Sequence, residues 1–271
     1  MGDVIYGKNM RVDGEKCIDF FEINDESMAP DYVTGCMQGA VGRVAGNFDW
    51  KGEYRMYDTP VRFPNDEATF KAAPVNTGNK GVSGTARIVE LTCRWDMAMG
   101  AYIEYRIGFG SNGVLTRTGI DASGITPVTS ALPLSPKGML LKLDDVTQAH
   151  VSMMGFRIIA EVIPYVDSTT DGQTLRTLGD IDVSAMWLIN SDDPADWPTK
   201  DAYHVAKFYV TATTFWEFKF MHIMGVRPWT KDRRKKDTPV QFTALAAFKS
   251  ENGTDTGYIK NPALATKWPA A

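Results

Sequence analysis

Hydrophobic and polar residues alternate with a period of two along most of this 271-residue chain. Residues two apart in a strand point to the same side of a sheet, so alternating runs predict half-buried β-strands. The clearest runs cover residues 16–23, 84–95, 101–109, 151–166, 206–213, 215–226 and 239–248. Apolar spacing typical of helices is scarce, and the pattern therefore predicts an all-β protein with little helix.

One stretch of this pattern occurs twice. Residues 43–50 read R-V-A-G-N-F-D-W and residues 176–183 read R-T-L-G-D-I-D-V, an offset of 176 − 43 = 133. The alternation then continues in both copies through five positions on one strand face, which we expect to point inward. Those positions are Phe48, Trp50, Gly52, Tyr54 and Met56 in the first copy, and Ile181, Val183, Ala185, Trp187 and Ile189 in the second. The sequence therefore predicts an internal duplication.

The duplication predicts two tandem, similar β-barrel or β-sandwich domains with long hairpins. Gly, Ser, Thr and Pro dominate between residues 116 and 136, and this shift in composition indicates a linker. We place the first domain at 1–125, the linker at 126–145 and the second domain at 146–271. Clusters of turn-forming residues at 24–31 and 110–113 predict that strands end there.

Composition narrows the class of protein without naming a function. Hydrophobic residues make up 44% and charged residues 23%, which is typical of a globular chain. The net charge of −4 gives no overall basic field for binding nucleic acid. No apolar run approaches the roughly 20 residues of a membrane helix, and the first residues do not resemble a secretory signal, so no membrane partner is expected.

Residues suited to catalysis or metal binding are few. Cys17, Cys36 and Cys93 lack C-x-x-C spacing, and the three histidines lack the spacing of metal ligands. The G-x-G-x-x-G match at 108–113 is followed by no predicted helix, so a phosphate-binding loop is not expected. The sequence predicts no enzyme activity, no cofactor and no metal.

Two interpretations that involve sugars remain open, a glycosidase and a carbohydrate-binding module. The acid pairs Asp96 with Glu104, and Asp180 with Asp182, have the composition of a glycosidase pair, although solvated strand positions explain them without chemistry. Stacking of a sugar on Trp197, Trp187 or Tyr54 would instead suit a carbohydrate-binding module.

A charged segment, residues 231–237, stands where the first half has the connection 96–100. It lacks interleaved aromatic residues, so a nucleic-acid patch is not favoured. It is either a solvated hairpin tip or an inter-subunit contact that faces the acidic turns at 24–26 and 191–196. The predicted inter-subunit contact residues are Asp96, Met97, Met99, Tyr102, Lys231, Asp232, Arg233, Arg234, Lys235, Lys236 and Asp237.

Together these patterns resemble a known family. The R-x-x-G-[ND]-[FI]-D strand, the hairpin tipped by an aspartate at Asp96 and Asp232, and the strand closing in F-x-x-N-G are similar to the major tail (tail-tube) protein of long-tailed bacteriophages. The resemblance covers roughly residues 43–115 and 176–250. The basic tip from Lys231 to Lys236 has no counterpart in the first copy and departs from the resemblance.

The resemblance implies a β-barrel-like tube domain used twice in each chain. Three such chains would then close a ring with pseudo-sixfold symmetry, and stacked rings would form a hollow tube. The implied partners are copies of this chain, other tail proteins including a tape-measure protein, and DNA in transit. The implied location is the virion tail, after synthesis in the host cytoplasm. The alternatives are another phage component, such as a distal-tail, baseplate or capsid-decoration protein, or a pair of carbohydrate-binding β-sandwich modules.

Overall fold

The computed structural model describes the larger part of the chain. The described residues are 10–27, 31–32, 42–43, 46–96, 102–126, 133–191, 193–196, 198, 203–226, 241–248, 259–260 and 267–268. For 31–32, 42–43, 220, 226, 241–248, 259–260 and 267–268 the description covers the backbone alone.

The described residues form strands joined by turns, which confirms the predicted all-β character. In the first half the strands are β1 (Arg11–Val12), β2 (Ile18–Ser27), β3 (Asp31–Tyr32), β4 (Gly42–Arg43), β5 (Phe48–Met56), β6 (Glu67–Ala73), β7 (Gly81–Asp96) and β8 (Glu104–Ile120). They continue as β9 (Leu140–Leu143), β10 (Val146–Thr147), β11 (Val151–Glu161), β12 (Pro164–Tyr165), β13 (Leu175–Arg176), β14 (Asp180–Asn190), β15 (Tyr203–Tyr209), β16 (Phe215–Val226), β17 (Gln241–Phe248), β18 (Ile259–Lys260) and β19 (Lys267–Trp268).

Helical structure in the described ranges consists of two single 3-10 turns, Ala122–Gly124 and Pro194–Asp196. Within those ranges, no helix has the length and apolar character needed to cross a membrane.

One curled antiparallel sheet organises the molecule. Its strand order is β10-β9-β15-β16-β17-β14-β11-β7-β8-β5-β2, and β6 adds to β7 beside this path. Two small two-stranded sheets, β12-β13 and β3-β4, stand apart from it. The main sheet has the form of a half-barrel, because β15 and β16 fold back over the strands near its middle.

Aromatic side chains fill the space inside the curl. The Trp216 ring lies 6.2 Å from that of Tyr105 and 4.9 Å from that of Phe156, and its Nε1 donates to the Tyr105 hydroxyl at 3.0 Å. The Phe208 ring likewise stacks 6.2 Å from Trp95. These contacts join β15 and β16 to β8, β11 and β7, so residues from both halves share one contiguous core.

The predicted inward face of the two motif strands is largely confirmed. Trp50, Tyr54 and Met56 are buried, as are the four positions from Val183 to Ile189 on the same face of the second strand. Phe48 is the exception, since 42% of it is exposed. It is the first residue of β5, where the strand begins beyond the edge of the core.

Two predicted strand ends are wrong. Strand β2 continues through Ser27, because its polar residues pair with β5 despite their preference for turns. Strand β8 passes through 110–113 and ends only at Ile120, which pairs with Gly81 of β7. In both places a long partner strand outweighs local turn propensity.

The chain continues in one sheet across the predicted domain boundary. Strand β7 of the first half pairs with β11 of the second over seven residue pairs, from Glu90 with Ile159 to Asp96 with Met153. Within the predicted linker, Leu140–Leu143 forms β9 and pairs with β15. The division into two domains stays a prediction.

Candidate interaction surface

The outer face of the sheet, opposite the core, carries two rows of charged side chains. The rows run across the strands because paired residues lie side by side. The acidic row contains, from β2 to β14, Glu22, Glu53, Gly108, Glu90, Ile159 and Asp182. The basic row lies two residues along each strand, about 7 Å away. It contains Arg55, Arg106, Thr92, Arg157 and Ser184.

Ion pairs neutralise much of this outer face. Arg157 binds Glu90 through two hydrogen bonds of 2.6 and 2.9 Å between the rows. These bonds lower the pKa of the Glu90 carboxyl, against a smaller raising effect of partial burial. Arg55 binds Asp19 in the same forked way, at 2.9 and 2.7 Å. Such pairs fix side-chain positions on a surface while contributing little to stability.

Two acids of the acidic row stand without such partners. Glu53 and Asp182 are exposed and make no salt bridge or side-chain hydrogen bond with any side chain that the structure describes. Arg157 feels the charge of Asp182, which helps its hydrogen bonds with Glu90 to raise the pKa of the guanidinium. These carboxylates are therefore available to a cation from outside the chain.

The two copies of the repeated motif meet at a single ion pair. Arg176, the first residue of the second copy, binds Asp49, the seventh residue of the first copy. Its Nη1 and Nη2 donate to the two Asp49 carboxylate oxygens at 3.0 and 2.9 Å. The exposed fractions are 10% for the Arg176 side chain and 28% for that of Asp49, so the pair is shielded from water.

Neighbouring groups hold this ion pair in place. The buried Ser111 hydroxyl donates to Asp49 at 2.7 Å, and the Ser111 carbonyl accepts from Arg176 at 2.8 Å. The backbone of Arg176 is held as well, since its N–H donates to Asn112 and its carbonyl accepts from Arg87, both at 2.8 Å. Burial alone would raise the pKa of the Asp49 carboxyl, but the bonds from Arg176 and Ser111 outweigh it and lower that pKa.

A glycine makes room for the guanidinium. An added Cβ at Gly110 would lie 2.4 Å from the Arg176 Cζ, so a larger residue would displace the side chain. The same segment is also anchored at Gly179, whose N–H and carbonyl bond to the Asn65 side chain at 3.1 and 2.7 Å. We refer to Asp49, Ser111 and Arg176, with Gly110 beneath them, as the motif clasp.

The main sheet has several edges in the described part of the chain, and two of them lie on the repeated strands β2 and β16. Strand β2 is the last strand on one side. On β16, strand β15 pairs only as far as His222, so residues 223–226 have β17 on one side and no described strand on the other. Unpaired edges are the places where a further chain can add by backbone hydrogen bonding.

A second buried polar cluster lies away from these surfaces. Glu15 is 1% exposed and accepts hydrogen bonds from the Tyr54 hydroxyl at 2.8 Å and from Arg62 at 3.0 Å. Burial raises the pKa of the Glu15 carboxyl more strongly than Arg62 lowers it. The cluster ties the chain before β2 to β5 and to Arg62.

The structure places only two of the predicted contact residues. Asp96 ends β7, and its carboxylate lies 3.7 Å from Arg94. Tyr102 is 54% exposed, and its ring lies 5.6 Å from that of Tyr57. The other predicted contacts lie outside the described residues: Met97, Met99, Lys231, Asp232, Arg233, Arg234, Lys235, Lys236 and Asp237.

The sugar-related interpretations receive no support from the described side chains. Tyr54 and Trp187 are fully buried and present no ring to a sugar, and Trp197 lies outside the described residues. Glu104 is bound by Arg106 at 2.8 Å. Where side chains are described, no group of three or more His, Cys, Asp or Glu residues is placed to hold a metal ion.

Sequence analysis did not identify the motif clasp, although the signal was present. Both charged residues belong to the repeated R-x-x-G-[ND]-x-D frame, and the arginine and aspartate are invariant between its two copies. No protein-family model and no curated protein sequence matches this chain.

Proposed function

We propose that the chain is a structural virion protein that assembles with its own copies into stacked rings, which form the tube of a phage tail. In this role the tube surrounds a tape-measure protein and later conducts DNA, and the chain catalyses no reaction. The observation that supports the proposal is a set of strand pairings that recurs with the same registers in one sheet. It is bordered by β2 on one side and by residues 223–226 of β16 on the other, both without a further described neighbour.

The pairing of the first two strands supports the duplication. Ile23 of β2 pairs with Gly52 of β5, and Phe156 of β11 pairs with Ala185 of β14. The differences 156 − 23 and 185 − 52 both equal 133, the offset of the sequence motif. The β2-β5 and β11-β14 pairs thus have the same register.

An irregularity recurs at the same place in these pairs. The register shifts between Ile18 and Phe20 in β2, and between Val151 and Met153 in β11. Each position again differs by 133. A bulge needs an extra residue at one defined point of a strand, so its recurrence is a specific sign of common design.

The third and fourth strands follow the same scheme. Pairing of β7 with β8 shifts between Ile88 and Glu90, and pairing of β16 with β17 shifts between Ile223 and Gly225. Both positions differ by 135 rather than 133. The second copy therefore has two more residues than the first between the motif strand and this point. Each module thus has four strands in one order, β2-β5-β8-β7 and then β11-β14-β17-β16.

The junction between modules suggests how chains would join. Inside the chain, the last strand of the first module, β7, pairs with the first strand of the second, β11. The corresponding edges are that of β2 and that of residues 223–226 of β16, which have no further neighbour in the described part of the chain. Pairing of β16 with β2 of a second copy would repeat the internal junction, and closure into a ring would cover both of these edges.

A duplicated chain would contribute two modules to each ring, so three chains would give the ring pseudo-sixfold symmetry.

The face of the sheet opposite the core is compatible with the inner wall, or lumen, of such a tube. Among the described side chains, Arg55, Arg106 and Arg157 of the basic row are paired with acids, which together with the net charge of −4 favours a surface past which DNA can slide.

The mass and shape of the purified protein test the proposal. We expect sedimentation velocity at micromolar concentration to detect closed oligomers, and negative-stain microscopy to detect rings or tubes. Discrete monomers at all accessible concentrations would contradict assembly, and monomers that bind glycans would favour the carbohydrate-binding alternative. Rings that never stack would favour a baseplate or capsid-associated component.

A further inference from the structure

The motif clasp is a contact between modules as well as within a chain. Arg176 belongs to the second module, whereas Asp49 and Ser111 lie on β5 and β8 of the first. The second module therefore extends an arginine over the neighbouring module and places it on that module's motif aspartate. A repeated module carries both halves of this contact, an arginine for one neighbour and an aspartate for the other.

Each half of the clasp has one counterpart in the other copy of the motif that the clasp does not use. By the offset of 133, Arg43 corresponds to Arg176 and Asp182 corresponds to Asp49. Asp182 is exposed on β14 and has no salt bridge among the described side chains. Arg43 begins the first copy of the motif, ahead of β5. The motif occurs twice in these 271 residues, so neither copy supplies a partner arginine for Asp182 or a partner aspartate for Arg43.

The internal junction fixes where a neighbouring copy would lie. Glu90 pairs with Ile159 at the β7-β11 junction. By the offset of 135, Glu90 corresponds to Gly225 of β16. By the offset of 133, Ile159 corresponds to Glu26 of β2. A copy joined in the same way therefore has its Glu26 opposite Gly225 of the first chain, with its motif extending over β16, β17 and β14.

We propose that Arg43 of one copy binds Asp182 of the adjacent copy, repeating between chains the contact that Arg176 makes with Asp49 within one chain. The inference rests on the proposed ring assembly and names the partner as a second copy of this chain. It also gives the repeated motif a physical role, since the arginine and aspartate of each copy then serve two different contacts.

The contact between chains differs from the internal clasp in one respect. Pairing of β14 with β17 places Ala247 and Phe248 at the positions of Gly110 and Ser111, at an offset of 137. The residue types at these two positions are therefore alanine and phenylalanine, so the sequence provides no serine hydroxyl for the aspartate and no glycine for the arginine. We therefore expect the contact between chains to be weaker than the internal one, which suits subunits that fold first and assemble afterwards.

Charge reversal tests the salt bridge. Asp182→Arg and Arg43→Asp should each raise the concentration needed for half-assembly by at least about tenfold, because like charges then face each other. The double variant should recover most of that loss. Asp180→Arg is the matched control, since Asp180 is an equally exposed acid on the same face of β14 and has no counterpart in the clasp.

A disulfide tests the placement of the neighbouring copy. Gly225→Cys with Glu26→Cys should give covalent oligomers under mild oxidation, since an added Cβ at Gly225 meets nothing within 4 Å and Glu26 is exposed. Gly225→Cys with Glu22→Cys should not, because Glu22 lies four residues away, roughly 13 Å along the strand. The single-cysteine variants control for the native thiols.

The outcomes separate this inference from the proposed function. Rings whose assembly is unaffected by either charge reversal, or whose cross-linking favours the Glu22 pair, would overturn the inference and leave ring assembly standing. A wild-type chain that remains monomeric would overturn both. Rescue in the double variant, with Asp180→Arg assembling normally, would support the Arg43–Asp182 contact specifically.

Discussion

Two regions of the molecule have matching strand registers but differ in what covers them. One is the junction of β7 with β11, and the other is formed by the equivalent positions on β14 and β16. At the junction, Arg176 covers Asp49 and β11 covers the edge of β7. At the equivalent positions, Asp182 of β14 is exposed, and residues 223–226 of β16 lack a second neighbour among the described strands. The strand registers on the two sides are equivalent, so the difference lies in what covers the border.

This comparison shows that burial, rather than residue type, decides what a charged position contributes. Asp49 and Asp182 occupy the same place in the motif, yet only Asp49 is shielded and bound by an arginine. The bulge positions differ in a similar way, since Val89 is half-buried and 65% of Met224 is exposed. We therefore expect the covered border to contribute to stability, and the uncovered one is the border that the proposed assembly would use.

The largest effect is expected from removing the arginine of the clasp. Arg176→Ala should lower the free energy of unfolding by about 2–4 kcal/mol, because Asp49 is left partly buried without its counter-ion. Arg157→Ala is the matched control, since Arg157 binds Glu90 with the same forked geometry on the exposed face. Its cost should be below about 1 kcal/mol. Denaturant titration measures both, and equal losses would contradict the comparison.

The two equivalent aspartates provide a closer test. Asp49→Asn should cost about 1–2 kcal/mol, because the charge that Arg176 and Ser111 stabilise is lost while the side-chain shape is kept. Asp182→Asn should change the stability of the isolated chain by no more than about 0.5 kcal/mol. Thermal and denaturant unfolding at low protein concentration measure this difference. A loss at Asp182 as large as that at Asp49 would show that the chain already covers both.

Two glycines make the same comparison through space rather than charge. Gly110→Ala should cost about 1 kcal/mol or more, because the new methyl group displaces the Arg176 guanidinium. Gly225→Ala meets nothing within 4 Å and should leave stability unchanged or raise it slightly, since glycine weakens a strand. The result at Gly110 should vanish in the Arg176→Ala background, and a persistent loss there would point to another clash.

The pH dependence of stability distinguishes the clasp from the buried Glu15 cluster. The pKa of Asp49 is lowered, so its contribution is present above its ordinary value of 3.8 and is lost as the pH falls through the folded-state pKa. The pKa of Glu15 is raised by burial, so stability is full below its ordinary value of 4.5 and declines as the pH rises through the folded-state pKa.

Two conservative variants isolate these opposite slopes. Asp49→Asn should flatten the loss of stability on the acidic side, and Glu15→Gln should flatten the decline at higher pH. Unfolding free energies measured from about pH 3 to pH 7 test both expectations. Identical pH profiles for wild type and both variants would show that neither carboxylate titrates with folding.

Much of the fold could be read from alternation alone. The run at 215–226 matches β16 residue for residue, and Trp50, Tyr54, Trp187 and Ile189 are buried on the predicted faces. The ends of β2 and β8 could not be read, because strand pairing over a long partner outweighed local turn propensity. The clasp was likewise hidden, since no local pattern states that Arg176 lies beside Asp49, 127 residues away.

The sequence by itself determined the β character, the spacing of the repeat and the inward faces of its strands, because these follow from a period of two within single segments. Only the tertiary structure decided which strand follows which in the sheet and which motif charges are covered. Those outcomes depend on pairing and burial between distant segments, whose energies no single segment contains. The repeated motif is thus written in the sequence, and its covered and uncovered states exist only in the folded chain.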